Sequence, residues 1–366
     1  MFKKLDVTLD KFIQMGIPAW DILVMKDGEQ VYRRFYGFSD YENTVPMSGK
    51  ERFNIYSCSK PITCTAALQL YEKGLFSLDD DLALYMPEFA DMKVLNPDGS
   101  ITKAKNRIKI KHLFTMTGGF DYNMNSSAVK AIKEDTKGVC PTREFMKYLA
   151  ELPLFFEPGT KYRYSLCHDV LAALVEEISG VRFAHYVKQN IFDPLKMVNS
   201  TFNMPDCELD GICAQYRSNE EKGVLENVGK RIMWYKLGSE YDSGGAGCIS
   251  TTEDYIKFTE AMRKGDIILS RETIDLMSSN HLGLDVDISE MNIAKKGYTM
   301  GLGVRCPSHD RPDNTDFGWG GAATSYLAID RKNAISFFFA EHVIGGPNFA
   351  MSRELPRIIK DCYGLA

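Results

Sequence analysis

The chain has 366 residues, 44% of them apolar, with a formal charge of −5 and a sequence pI near 5.8. That is enough apolar material for a large core, read here as two subdomains sharing one cleft. The mild acidity, with both signs mixed along the chain, argues against a nucleic-acid partner. No apolar run approaches the ~18 residues that span a bilayer. The opening M-F-K-K-L-D-V-T-L-D-K-F reads as an amphipathic helix and not a signal peptide, because no apolar stretch follows its lysines. Nine cysteines, an odd count with no C-x-x-C, fit reduced thiols and a cytoplasmic protein. The histidines are too scattered for a zinc site, so neither a metal nor an organic cofactor is expected.

In chain order, Asp21 to Tyr36 reads as a β-hairpin around K-D-G-E. Ile62 to Lys73 has the 3- and 4-residue apolar spacing of a helix, stopped by Gly74. Leu78 to Phe89 and Ile108 to Met116 add helical or turn pieces. Pro158-Gly159 marks a turn, followed by a helix from about Leu166 to Ile178 that ends at Gly180. Ser250-Thr251-Thr252-Glu253 reads as a capping box opening a further helix. Strand signals return late. Tyr298 to Arg305 is one predicted strand, and Ala323 to Ile329 with Ala334 to Ala340 form a hairpin around D-R-K-N. Pro347 to Tyr363 reads as a closing helix. Helices and strands are segregated, which is α+β logic. Residues 1–75 and 235–366 are expected to build an α/β subdomain on one antiparallel sheet, and 76–234 a mostly helical one.

The sequence I-Y-S-C-S-K-P-I-T places Ser57 three residues before Lys60. S-x-x-K alone is weak. It recurs at Ser100 with Lys103 and at Ser127 with Lys130, both in polar surroundings. The plain reading of Ser57 is a helix N-cap with a solvated lysine. The chemical reading is also coherent, because residues i and i+3 share a helix face. A buried lysine in a first turn is pushed toward the free amine, which can take a serine proton.

Two downstream segments decide between these readings: Tyr164-Ser165-Leu166 after F-E-P-G-T-K-Y-R, and Trp319-Gly320-Gly321-Ala322 before a strand. With them the sequence resembles the serine β-lactamase-like superfamily. Within it, the chain looks most like the class C-like branch of family VIII carboxylesterases and related acyltransferases. The resemblance runs from about Phe12 to Ile359. It includes F-N-I-Y-S-C-S-K-P-I-T, I-K-I-K-H-L-F-T-M-T-G-G-F, the Y-S-L-C-H-D-V-L helix and G-G-A-G-C-I-S-T-T-E-D-Y. It implies a β-lactamase/transpeptidase-like fold, in which an antiparallel sheet is flanked by terminal helices and carries an inserted helical subdomain. The active site would lie in the cleft.

By the same resemblance, Ser57 is the nucleophile, Lys60 the general base and Tyr164 the proton shuttle. The amides of Ser57 and Ala322 would form the oxyanion hole. Leu166, Trp319, Gly320 and Gly321 would contact substrate. A phenol, with a reference pKa near 10, needs a nearby cation to act as phenolate, so the lysine and tyrosine are a coupled pair. The implied partner is a small-molecule ester, with amide or lactam as alternatives and a catalytically silent binding protein as the non-enzymatic one.

Two departures narrow this. Leu166 stands where the family carries Asn. Trp319-Gly320 stands where lactamases carry a lysine and a hydroxyl residue. Losing one charge-assisted contact costs about 1.5–3 kcal/mol, roughly ten- to a hundredfold in binding, so ester cleavage is expected over penicillin hydrolysis. Met116 replaces a common His in T-M-T-G-G-F, a loop read as structural. His168 is expected to be a satisfied core histidine, Asp169 a helix-start residue, and Asp79-Asp80-Asp81 a turn cap. Gly244 to Gly247 lacks the pattern of a phosphate loop. Trp234, Tyr235 and Tyr241 are candidates for pocket lining.

Overall fold

The computed structural model describes residues 1–219, 221–229, 235–311 and 313–365. Helix α1 (Lys3–Gln14) turns its Leu5, Leu9 and Phe12 inward. Strands β1 (Ala19–Lys26) and β2 (Glu29–Gly37) then pair antiparallel across Asp27-Gly28. Both turn residues have positive φ, 55° and 89°, the geometry whose twist matches paired strands. Helix α2 (Ser59–Glu72) starts three residues earlier than its apolar spacing suggests, and α3 (Cys167–Ser179) ends on the left-handed Gly180. Helix α4 (Thr252–Lys264) is capped by Thr251, whose hydroxyl accepts from the Asp254 N–H at 3.0 Å. The expected capping box on Ser250 is therefore displaced by one residue, because Ser250 closes the strand Cys248–Ser250.

The single strand expected from Tyr298 to Arg305 is two: β3 (Tyr298–Met300) and β4 (Arg305–Pro307), folded back on each other around Gly301-Leu302-Gly303. The reason is steric. Gly303 has φ +84°, and a Cβ there would lie 2.0 Å from Cys64 Sγ on α2, so the backbone must turn away at close range. Strands β5 (Phe317–Gly320), β6 (Tyr326–Asp330) and β7 (Ile335–Glu341) follow. The closing helix is also two pieces, Phe349–Ser352 and α5 (Leu355–Asp361). Pro356 lies in the first turn of α5, where a missing N–H is tolerated. It could not have continued the preceding helix.

Seven strands form one antiparallel sheet in the order β3-β4-β5-β6-β7-β1-β2. Both faces are covered, so β7 reads I-S-F-F-F-A-E with every residue buried. One face packs Trp20, Ile22, Val24, Phe337 and Phe339 against α1 and α5. The other packs Leu23, Leu327 and Phe338 against α4, with Tyr255 stacked on Phe338 at 4.2 Å. Each such ring or aliphatic side chain stabilises the fold by about 1.5–3 kcal/mol.

Between β2 and β3 the chain is mostly helix and turn, but it also carries short strands that the sequence did not signal. Phe53–Asn54, Cys248–Ser250 and Thr201–Phe202 form one small sheet. Tyr216–Asn219 and Val224–Asn227 form another, joined by Val343–Ile344 from beyond β7. Cys58, Cys64, Cys140, Cys167, Cys213, Cys248 and Cys306 are buried free thiols. Among the described residues no helix is long and apolar enough to cross a membrane, and no cluster of His, Cys, Asp and Glu could hold a metal ion.

Candidate active site

The site begins with an unusual backbone. Tyr56 has φ +48° although it is not glycine, a conformation that costs an L-residue roughly 1–2 kcal/mol. Its ring is buried and pinned. The hydroxyl donates to Gln215 Oε1 at 2.8 Å, and the ring meets Tyr235 edge-on at 5.4 Å. Tyr56 to Cys58 form one 3₁₀ turn leading into α2. The α2 N-cap is Cys58, without a side-chain cap bond, so Ser57 is not the capping serine of the plain reading. Nor is α2 amphipathic. Every residue from Ser59 to Leu68 is buried, because α3 packs on one side and the 244–250 segment on the other.

Lys60 is fully buried. Its Nζ donates to Ser57 Oγ at 3.1 Å and to the Gly245 carbonyl at 2.6 Å. It also lies 4.6 Å from the centre of the Tyr164 ring and 5.4 Å from that of Tyr122. The Tyr164 hydroxyl is hydrogen-bonded to Ser57 Oγ. Tyr164 is itself the middle of an aromatic stack, with Tyr122 at 5.6 Å on one side and Trp319 at 6.3 Å on the other, nearly parallel. The head of α2, the approach to α3 and the end of β5 therefore meet at one serine hydroxyl. Such a hydroxyl has a phenol and an amino group within reach of its proton, which is what nucleophilic attack on a carbonyl requires.

The Gly244–Gly247 segment explains how Lys60 is held. A Cβ on Gly244 would lie 2.2 Å from the His168 carbonyl. One on Gly245 would lie 2.6 Å from Asp169 Oδ2, and one on Gly247 2.7 Å from the Ser243 carbonyl. These glycines let the backbone pass between α2 and α3, so that the Gly245 and Gly244 carbonyls accept from Lys60 and Thr63.

Gly321 is likewise forced. A Cβ there would lie 2.3 Å from the Ile55 carbonyl, and Ser325 Oγ donates to that carbonyl at 2.9 Å. The turn carrying Ala322 is thus stitched to the residues just before Ser57, and Ala322 packs against the cluster that contains Tyr56. Gly320 leaves room for something the sequence did not reveal. The Arg353 guanidinium fills the place of its side chain, 1.5 Å from where a Cβ would sit, with its own faces on Tyr326 and Phe349. The Trp319-Gly320 segment therefore lacks a cation in sequence but has one beside it in space. Leu166 is buried and lines a separate recess of about 240 Å³ with Phe120, Leu149, Leu152 and Phe155.

Of the remaining expectations, His168 is buried but only half satisfied, since its Nδ1 has no hydrogen-bond partner. Its Nε2 faces the Phe114 carbonyl at 3.2 Å, and burial with the nearby Lys60 charge pushes it down to about 3. Asp169 does not cap α3. It reaches across to the 241–245 segment, where its Oδ1 accepts from Tyr241 at 2.9 Å and Ser243 at 2.8 Å. Tyr235 and Tyr241 are both buried, and they border one small recess with Met204 and Ser243 that does not include Ser57 or Tyr164. Trp234 lies outside the described residues. Asp80 accepts from the Ser77 N–H and the Tyr85 hydroxyl, and Asp79 pairs with Lys111 at 2.7 Å, as a turn cluster would. Met116 is buried in a left-handed turn, with its carbonyl accepting from the Arg163 N–H. Sequence reasoning missed Tyr122, Tyr56 and Arg353. The only local signal was the aromatic placed after G-G-F-D.

An antiparallel sheet flanked by helices, with S-x-x-K at the head of a buried helix, defines the β-lactamase and penicillin-binding-protein class of fold. The chain belongs to the Beta-lactamase family, which it matches over residues 6–344. Esterase EstB of Burkholderia gladioli is 29% identical over 91% of this chain and 88% of its own length. A protein of Escherichia coli (strain K12), provisionally named a D-alanyl-D-alanine carboxypeptidase, is 26% identical over 82% of this chain and 71% of its own length. Among solved structures, EstCE1, described as a hydrolase with promiscuous acyltransferase activity, superposes with a TM-score of 0.78 at 24% identity, covering 96% of both chains.

Proposed function

We propose that the protein is a cytoplasmic serine hydrolase that cleaves small carboxylic esters through an acyl-enzyme on Ser57. The observation that carries this reading is the hydroxyl of Ser57 lying within hydrogen-bond reach of both Lys60 Nζ and Tyr164. Ser57 Oγ attacks the ester carbonyl as its proton passes to the Tyr164–Lys60 pair. The oxyanion is held by the amides of Ser57 and Ala322, donors aimed at charge that develops only in the transition state. Collapse breaks the C–O bond, and the leaving alkoxide takes the proton from Tyr164. Water then attacks the acyl group by the reverse path. An alcohol acceptor would give acyl transfer from the same intermediate.

The ring wall of Tyr164 and Trp319 suits an apolar acyl or alcohol group, and the likeness to EstB supports the ester reading. Ser57→Ala is expected to abolish hydrolysis of a short-chain p-nitrophenyl ester, measured by steady-state kinetics. Full activity in that variant would refute the mechanism. Rapid turnover of a D-alanyl amide with negligible ester turnover would instead favour a peptidase. Absence of fluorophosphonate labelling at Ser57 in folded protein would favour a silent binding protein.

A further inference from the structure

Asp169 is fully buried, and its Oδ2 has no side-chain hydrogen-bond partner. That oxygen, the Tyr122 hydroxyl and Lys60 Nζ all lie within 3.4 Å of one point, the place a Cβ on Gly245 would occupy. A carboxylate sealed from water is costly unless a cation balances it. Tyr122, Tyr241, Ser243 and the Gly245 amide face Asp169 from the neighbouring segments, and Cys167 and His168 flank it on its own helix. Of these groups and Lys60, only Lys60 brings a positive charge. His168 is neutral, being pushed down to about 3. Burial raises the Asp169 carboxyl, and the Lys60 charge is the largest influence opposing that rise.

We propose that Asp169 is a positioning residue that supplies the countercharge to Lys60 across Gly245, and so sets where the proton rests in the Ser57–Lys60–Tyr164 group. This rests on the acyl-enzyme reading above. With Asp169 ionised, Lys60 stays an ammonium, anchored to the Gly245 carbonyl and facing the Tyr164 ring. Tyr164 enters the step as the phenolate paired with that ammonium; its oxygen takes the proton leaving Ser57 Oγ, and the resulting phenol returns it to the departing alkoxide.

The test is the pH dependence of kcat/KM for a p-nitrophenyl ester in Asp169→Asn. The amide is isosteric, and its oxygen still accepts from Tyr241 and Ser243. Removing a negative charge next to the group makes its protons easier to lose. The acid limb of the profile is therefore expected to move to lower pH by about one unit or more, with KM little changed. Tyr241→Phe, which removes one donor to the carboxylate, is expected to give a smaller shift in the same direction. It keeps the test open if Asp169→Asn does not fold. Profiles that superimpose on the parent's in a folded variant, with Ser57 still acylated by intact mass, would overturn the Asp169 role alone. A parent protein that forms no Ser57 adduct would overturn the reading on which it rests.

Discussion

Tyr164 contributes two separable things: a hydroxyl on Ser57 and a ring between Tyr122 and Trp319. Tyr164→Phe keeps the ring and removes the hydroxyl that carries the proton in the proposed mechanism. It is expected to lower kcat by about 10²–10⁴-fold while leaving KM and the melting temperature nearly unchanged, as read by steady-state kinetics and thermal unfolding. A large rise in KM with kcat intact would assign the tyrosine to binding instead. That Ser57, Lys60 and Tyr164 come together was legible in the sequence, because S-x-x-K is a local helix-face pattern and the later segments follow in order. Tyr122, Asp169 and Arg353 were not read as site residues. Each reaches its place through tertiary packing, Arg353 through a gap left by a glycine far earlier in the chain. An acidic residue in the first turn of a helix reads as an ordinary cap until the partner segment at 241–245 is seen.

At the level of elements, hydrophobic period and turn chemistry located the first hairpin, α2, α3 and the β6–β7 hairpin to within a few residues. What they missed were breaks enforced from outside the element. The β3–β4 reversal depends on α2 lying against Gly303, and the short strands near 53, 201 and 248 exist only because they find one another. Gly303→Ala combines left-handed strain with a collision at Cys64. It is expected to destabilise the protein by about 2–4 kcal/mol, measured by urea unfolding. Because the same contact sits on α2, loss of the proposed esterase activity should accompany loss of stability. Unchanged stability would mean that α2 is not held against this turn.

Over the whole molecule, buried ionisable groups couple stability to pH. Glu341 ends β7 behind the Ala322–Ser325 turn, where Asn348 donates to its carboxylate at 2.6 Å, and burial raises it from 4.5 to about 8. The folded protein keeps this proton at pH values where the unfolded chain has lost it. Its contribution is therefore full below about pH 4.5, falls as pH rises, and is gone above about pH 8. His168 and His342 act oppositely. Both are lowered by burial, to about 3 and about 4, so their contribution is present above the ordinary value of 6.5 and is lost as pH falls. Glu341→Gln is neutral at every pH and should flatten the decline in melting temperature between pH 5 and 8. An unaltered decline would remove Glu341 from the account. The covalent intermediate is read out by intact-mass analysis of the protein after brief exposure to a panel of short-chain esters and lactams. The expected result is a single acyl adduct mapped to Ser57 and absent from Ser57→Ala. Ester turnover with no adduct at Ser57, or the same adduct in Ser57→Ala, would contradict it.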